Sequence, residues 1–177
     1  MITELYTDRL CLRQMQAADS SSLLTIWSDP DVTRFMNISP FTSEEQVVAM
    51  ITYLDELAQT NQAIRYTMVD LESREVIGSC GYNELDFEHG KVEIGYDIAK
   101  PCWGRGYAVE AVSCLVEHAF RELNLHRIEA RVEPANLNSI KVLQKLHFTY
   151  EGTLRQCERS KGSFNDLQMY SRLSTDV

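Results

Sequence analysis

Trp103-Gly104-Arg105-Gly106-Tyr107-Ala108 is the stretch on which the fold turns. It stands between a strand-like run, Lys91 to Ile98, and a helix-like run, Ala108 to Leu123. Two glycines ahead of a helix's first turn let the backbone bend tightly and leave several N–H groups without an intrahelical acceptor. With the positive end of the helix dipole, those donors suit the oxygens of a phosphate or pyrophosphate. A P-loop needs Gly-Lys-Ser/Thr, and no lysine follows Gly106. A dinucleotide fingerprint needs a third glycine where Val109 stands, and it opens the first βαβ unit, whereas roughly half of this chain precedes the motif.

The helix that follows has the clearest period in the chain. Ala108, Ala111, Val112, Leu115, Val116, Ala119, Phe120 and Leu123 advance by threes and fours along one face, while Glu110, Glu117, His118 and Arg121 lie on the other. Glu110 is expected on the helix surface or in an ion pair. Downstream, Arg127 to Val132 reads as a buried strand, Leu137 to Leu146 as a short helix, and Phe148 to Gln156 and Leu167 to Leu173 as strands joined around Lys161-Gly162-Ser163. Upstream, Arg9 to Gln14 alternates around Leu10 and Leu12 as a first strand. Asp19 is placed to cap a helix ending near Asp29-Pro30, and Thr42-Ser43-Glu44-Glu45 has capping-box spacing before an apolar stripe from Val47 to Ala58. Ile64 to Leu71 and Val76 to Tyr82 read as a hairpin around Glu72-Ser73-Arg74-Glu75. The order β-α-α-β-β-β-α-β-α-β-β defines an α/β (α+β) class, a mixed sheet with helices packed against it.

At 177 residues, with 44% hydrophobic and 24% charged residues, the chain fits one soluble domain spanning residues 1–177. No apolar run approaches the roughly 18 residues of a membrane helix, and Met1-Ile2-Thr3-Glu4 does not resemble a signal peptide, so a cytoplasmic protein without a membrane partner is expected. The five cysteines are scattered without a Cys-x-x-Cys pair, and the four histidines make no ligand spacing with them. Reduced, mostly buried thiols and no metal site are expected. A formal charge of −9 argues against nucleic acid and suits a cationic amine or a basic protein tail, or simply maintains solubility.

The loop and its flanking elements, followed by Glu133-Pro134-Ala135-Asn136-Leu137-Asn138-Ser139 and Lys145-Leu146-His147-Phe148, resemble the GNAT N-acetyltransferases, and more narrowly the branch that acetylates N-terminal amines of ribosomal proteins. The resemblance runs from Arg9 to Leu173. It implies a central mixed sheet whose neighbouring strands splay apart to hold acetyl-CoA, with cofactor contacts from Ile98, Trp103, Gly104, Arg105, Gly106, Tyr107, Ala108, Asn136 and Ser139. The family's loop usually begins with Gln or Arg where Trp103 stands; binding should survive, because the contacts come chiefly from backbone N–H groups. Arg105 can add a charge-assisted contact or remain a solvated arginine.

Asn136 is placed to cap the following helix, and the resemblance also lays it against the pantetheine arm. Ser139, in that helix's first turn, can donate to a departing thiolate or simply bond the local backbone. An ammonium cannot attack a thioester, so a carboxylate or an ordered water must first take its proton. The resemblance implies Glu158 as this base, ten residues after Phe148; Glu93 and Glu129 are the other candidates. Tyr96, Tyr107 and Tyr150 are candidate acids or packing residues, and His147 is read as structural. The implied reaction is direct acetyl transfer to a primary amine, with a ribosomal-protein N-terminus as the expected acceptor. The alternatives are a polyamine or amine-bearing antibiotic as acceptor, and a non-catalytic acyl-CoA-binding sensor. A homodimer is a possible assembly.

Overall fold

The structure is a computed structural model that describes residues 4–176. Its strands are β1 (Leu5–Tyr6), β2 (Leu10–Gln14), β3 (Ile64–Asp70), β4 (Val76–Asp86), β5 (Lys91–Ile98), β6 (Arg127–Val132), β7 (Thr149–Ser160) and β8 (Ser163–Leu173). Its helices are α1 (Ser20–Trp27), α2 (Pro30–Thr33), α3 (Glu44–Gln59), α4 (Tyr107–Arg121) and α5 (Leu137–Lys145). The strands form one mixed sheet in the order β1-β2-β3-β4-β5-β6-β8-β7. Every neighbouring pair is antiparallel except β5 and β6, which run parallel because α4 carries the chain back between them.

Helix α4 holds one face of the sheet through the expected stripe. Ala111, Val112, Leu115 and Ala119 are fully buried among Leu10, Leu12, Tyr66, Met68 and Ile128. Each buried Leu or Val there contributes about 1.5–3 kcal/mol relative to exposure. Helices α1 and α3 form a second cluster through Leu23, Ile26, Trp27, Val47 and Ile51. Strand β3 alternates between the two environments. Tyr66 and Met68 join the α4 cluster, whereas Arg65 meets Asp97 and Thr67 meets Asp19.

The parallel pairing of β5 with β6 stops early. Lys91, Val92 and Glu93 pair with Arg127, Ile128 and Glu129; beyond them, Ile94 to Ile98 pair only with β4, and Ala130 to Val132 only with β8. The expected splay is therefore present, and it opens a notch at the middle of the sheet.

Several local expectations are corrected. Two elements are added, the two-residue β1 and the single-turn α2, whose first residue is Pro30 and whose cap is Asp29. Asp19 occupies the cap position of α1 but makes no capping bond. Its carboxylate instead takes both Arg13 guanidinium nitrogens at 2.8 Å and the Gln16 N–H at 2.9 Å. The α3 cap lies one residue later than Thr42: Ser43 accepts from Gln46 N–H at 3.4 Å, and the Gln46 side chain reaches back to Thr42 N–H at 2.7 Å. Of the five free thiols only Cys11 and Cys80 are buried, and Cys157 is exposed. Among the described residues, no helix is long and apolar enough to cross a membrane and no cluster suits a metal ion.

Candidate active site

The glycine loop closes one end of the notch. Gly104 (φ 73°) and Gly106 (φ 81°) both occupy the left-handed region, and Gly106 caps α4. Among the described residues, the backbone N–H groups of Gly104 through Val109 have no intramolecular acceptor, the first bond in this stretch being Glu110 N–H to Gly106 O at 3.1 Å. Gly104, Gly106, Tyr107, Ala108 and Val109 line a cleft of about 800 Å³. Two further contacts brace the loop. The Trp103 indole N–H donates to the Ile98 carbonyl at 2.7 Å, and the Tyr107 phenol donates to Asp70 at 2.6 Å. Tryptophan in place of the family's polar residue thus ties the loop to the end of β5. The Arg105 side chain is exposed and does not line the cleft.

A second cavity, of about 450 Å³, lies on the other side of the notch. The two share Phe35, Met36, Tyr96, Asn136 and Ser139, so they meet at one point. Asn136 caps α5 by accepting Ser139 N–H at 3.2 Å, which fixes the first turn of that helix. The Ser139 hydroxyl then lies 2.8 Å from the Tyr96 phenol oxygen. Burial pushes Tyr96 up to about 12, so it stays protonated at neutral pH. Of the three candidate acids, only Tyr96 stands where the two cavities meet. Tyr107 is engaged by Asp70, and Tyr150 is exposed beside Thr153 at 2.8 Å. The selecting signal is the β5 alternation Val92-Ile94-Tyr96-Ile98, in which tyrosine is the one residue with a polar tip.

Three carboxylates line the smaller cavity. Glu158 accepts from the Asn37 amide at 3.3 Å. Its place depends on a bulge: β7 pairs Leu154 with Leu167 and then Glu158 with Asn165, so Arg155, Gln156 and Cys157 all stand opposite Asp166. Gln156 is left-handed (φ 49°), and its N–H donates to the Asp166 carboxylate at 2.8 Å. Without the bulge, the register would pair Glu158 with Ser163 at the hairpin tip. Glu93 meets Arg131 at 3.3 Å and the Asn83 amide at 3.4 Å, and burial raises its carboxyl above the ordinary range. The third carboxylate, Glu133, is missed by sequence reading; burial and then the neighbouring Glu158 push it upward. Glu129 lies outside both cavities in an ion pair with Arg127 at 2.7 Å, which removes it as a candidate base.

The two cavities differ in charge. In the larger cleft, Lys100 pairs with Asp31, and Asp97 pairs with Arg65, while Arg34 and Lys141 make no ion pair among the described residues. In the smaller cavity Arg65 and Arg131 are matched by Asp97 and Glu93, while Glu133 and Glu158 make none. An anion is favoured on one side of Ser139 and a cation on the other.

A splayed mixed sheet with a donor-rich loop ahead of its central helix is the architecture of an acyl-CoA-dependent acetyltransferase. The model of the acetyltransferase (GNAT) domain matches residues 9–149, and the chain belongs to that family. It is 48% identical over 172 residues to the uncharacterised N-acetyltransferase p20 of Bacillus licheniformis, with 97% of each chain covered. It is 27% identical over 99 residues to the ribosomal-protein-serine acetyltransferase of Escherichia coli, covering 56% of this chain and 55% of that one. Its fold matches RimL, a ribosomal L7/L12 alpha-N-protein acetyltransferase solved with coenzyme A, with a TM-score of 0.87 at 22% identity, covering 97% of this chain and 98% of that one. The GNAT family uses acetyl-CoA. The unpaired N–H groups from Gly104 to Val109, the free cations Arg34 and Lys141 and the size of the larger cleft fit that cosubstrate.

Proposed function

We propose that this enzyme transfers the acetyl group of acetyl-CoA directly to a primary amine within a ternary complex, and that residues 1–177 act as one GNAT domain in the cytoplasm. The observation that carries the reading is the meeting of two cavities of opposite charge at the Tyr96–Ser139 pair. Bound acetyl-CoA supplies an activated thioester. The loop from Gly104 to Ala108 holds its pyrophosphate, while Ile98 and Asn136 border the pantetheine arm.

Chemistry then falls to the chain's own side chains. Glu158 takes the proton of the incoming ammonium, leaving a neutral amine to form the C–N bond. As the C–S bond breaks, the Ser139 hydroxyl donates its proton to sulfur and recovers one from Tyr96. The second proton shed by the acetylated nitrogen restores the phenol, while Glu158 releases its own proton to solvent. Both hydroxyls carry their protons before the step and border both cavities.

The acceptor is the N-terminal amine of a ribosomal or other basic protein. Two features support this: the named acceptor class of the E. coli relative, and Glu133 and Glu158, which line the smaller cavity and make no ion pair among the described residues. A cavity of about 450 Å³ also accommodates a small diamine, which is the second reading. A screen of N-terminal peptides and small amines with acetyl-CoA, read by thiol release, decides between them. Peptides with a free N-terminus should release thiol, and the same peptides N-acetylated should not. Turnover of polyamines alone would overturn the protein-acceptor reading, and no thiol release with any amine would overturn the enzyme's proposed reaction.

A further inference from the structure

Arg9 lies outside both cavities, yet it touches the glycine loop at three points. Its Nη1 donates to the Arg105 carbonyl at 3.0 Å, its Cζ lies 4.3 Å from the centre of the Tyr107 ring, and its Nη2 is 3.5 Å from where a Cβ on Gly106 would stand. The same guanidinium holds Glu110, in the first turn of α4, through Nε at 2.7 Å and Nη2 at 2.7 Å, and the Arg9 backbone N–H adds a bond at 2.9 Å. Thr7 donates to the same carboxylate, and the Arg9 carbonyl accepts Leu71 N–H at 2.8 Å, which anchors the arginine to the sheet.

Two electrostatic problems of an anion site meet at this residue. A carboxylate in the first turn of the helix would repel a pyrophosphate placed at that helix's N-terminus. A carbonyl inside a left-handed loop also has to be turned away from the anion, so that the neighbouring N–H groups face it. One planar guanidinium does both, because its fork reaches Glu110 and the Arg105 carbonyl together. We infer that Arg9 is a positioning residue for the pyrophosphate, neutralising Glu110 and pinning the Arg105 carbonyl behind the loop while its own side chain stays out of the cleft.

This inference rests on the reading of the larger cleft as the coenzyme site, and its test separates the two. Calorimetry compares coenzyme A, dephospho-coenzyme A and pantetheine on the wild-type protein and on Arg9→Ala. The two pyrophosphate ligands should bind Arg9→Ala about tenfold more weakly, as expected for leaving the Glu110 charge uncompensated near the anion, whereas pantetheine should be unaffected. Equal weakening of all three ligands would make Arg9 merely structural, and unchanged affinity for all three would also overturn the inference. Should Arg9→Ala fail to fold, Arg9→Gln, which removes both the charge and the fork but keeps a polar chain, carries the same comparison with the same outcomes. A wild-type protein that binds none of the ligands would overturn the reading of the cleft, and the role of Arg9 with it.

Discussion

The Tyr96 phenol oxygen and the Ser139 hydroxyl oxygen lie 2.8 Å apart, joining residues 43 positions apart in the chain. Tyr96 comes from the last paired stretch of β5 and Ser139 from the capped first turn of α5, so the contact links strand and helix where the two cavities meet. A hydroxyl pair at this junction borders both cavities at once, and on that placement rests the proposal that it hands a proton to sulfur.

Ser139→Ala should therefore lower kcat about a hundredfold while leaving acetyl-CoA affinity unchanged, because the hydroxyl acts as the thiolate forms. Tyr96→Phe should fall less, and the double variant should be no slower than Ser139→Ala alone, since both residues serve one proton. Single-turnover kinetics check the chemical step. A full-rate Ser139→Ala protein would leave the serine with its backbone role only.

Glu158→Gln should retain acetyl-CoA binding and lose most transfer near neutral pH, with part of the rate returning at higher pH as more acceptor amine is already neutral. Glu93→Gln should be milder and show no such recovery, because Glu93 is already engaged by Arg131 and Asn83. A pH–rate profile for each variant makes the comparison. Unchanged rates for Glu158→Gln across the range would move the proton to Glu93 or to an ordered water.

What the sequence shows plainly is what short-range pattern can carry. The stripe on α4, the paired glycines and the Asn136 cap all depend on residues within a few positions of one another, and each is found where its spacing places it. The remainder depends on contacts that spacing cannot express. The bulge at Arg155–Cys157 breaks the two-residue alternation of β7, so the chain alone does not tell which side of the strand Glu158 takes. Tyr96 reads as packing until α5 is set against β5. Glu129 and Glu93 sit on neighbouring strands directly opposite each other, yet only Glu93 lines a cavity, while Glu129 lies outside both in its ion pair with Arg127. Arg9 looks like the start of a strand, and its partners Arg105 and Glu110 lie about a hundred residues away.

Gly106 should tolerate no acidic side chain. Its φ of 81° already costs any other residue about 1–2 kcal/mol, and a carboxylate there would enter the anion site. Acetyl-CoA should raise the Tm of the wild-type protein by binding the native state. Gly106→Asp should abolish that rise, while Gly106→Ala, whose Cβ would make only an ordinary contact with Arg9, should reduce it. Differential scanning calorimetry with and without ligand checks both, and an undiminished rise in Gly106→Asp would remove the loop from the binding site.

Asp70 links the loop to acid stability. It accepts the Ser73 N–H at 2.8 Å, the Tyr107 phenol at 2.6 Å and the Glu72 N–H at 3.0 Å. These bonds, led by the one from Ser73, hold its carboxyl down at about 2, against an ordinary value of 3.8. Because the folded value lies below the unfolded one, the unfolded chain takes up the proton first as pH falls. The stabilisation from Asp70 is thus fully present above about pH 5 and is lost as pH falls from about 4 towards 2. The Tm of the wild-type protein should exceed that of Asp70→Asn by a constant margin between about pH 5 and 7, and the margin should close over the acid range. A margin that stays constant down to about pH 2 would show that this carboxylate does not brace Tyr107 and the turn after β3 through its charge.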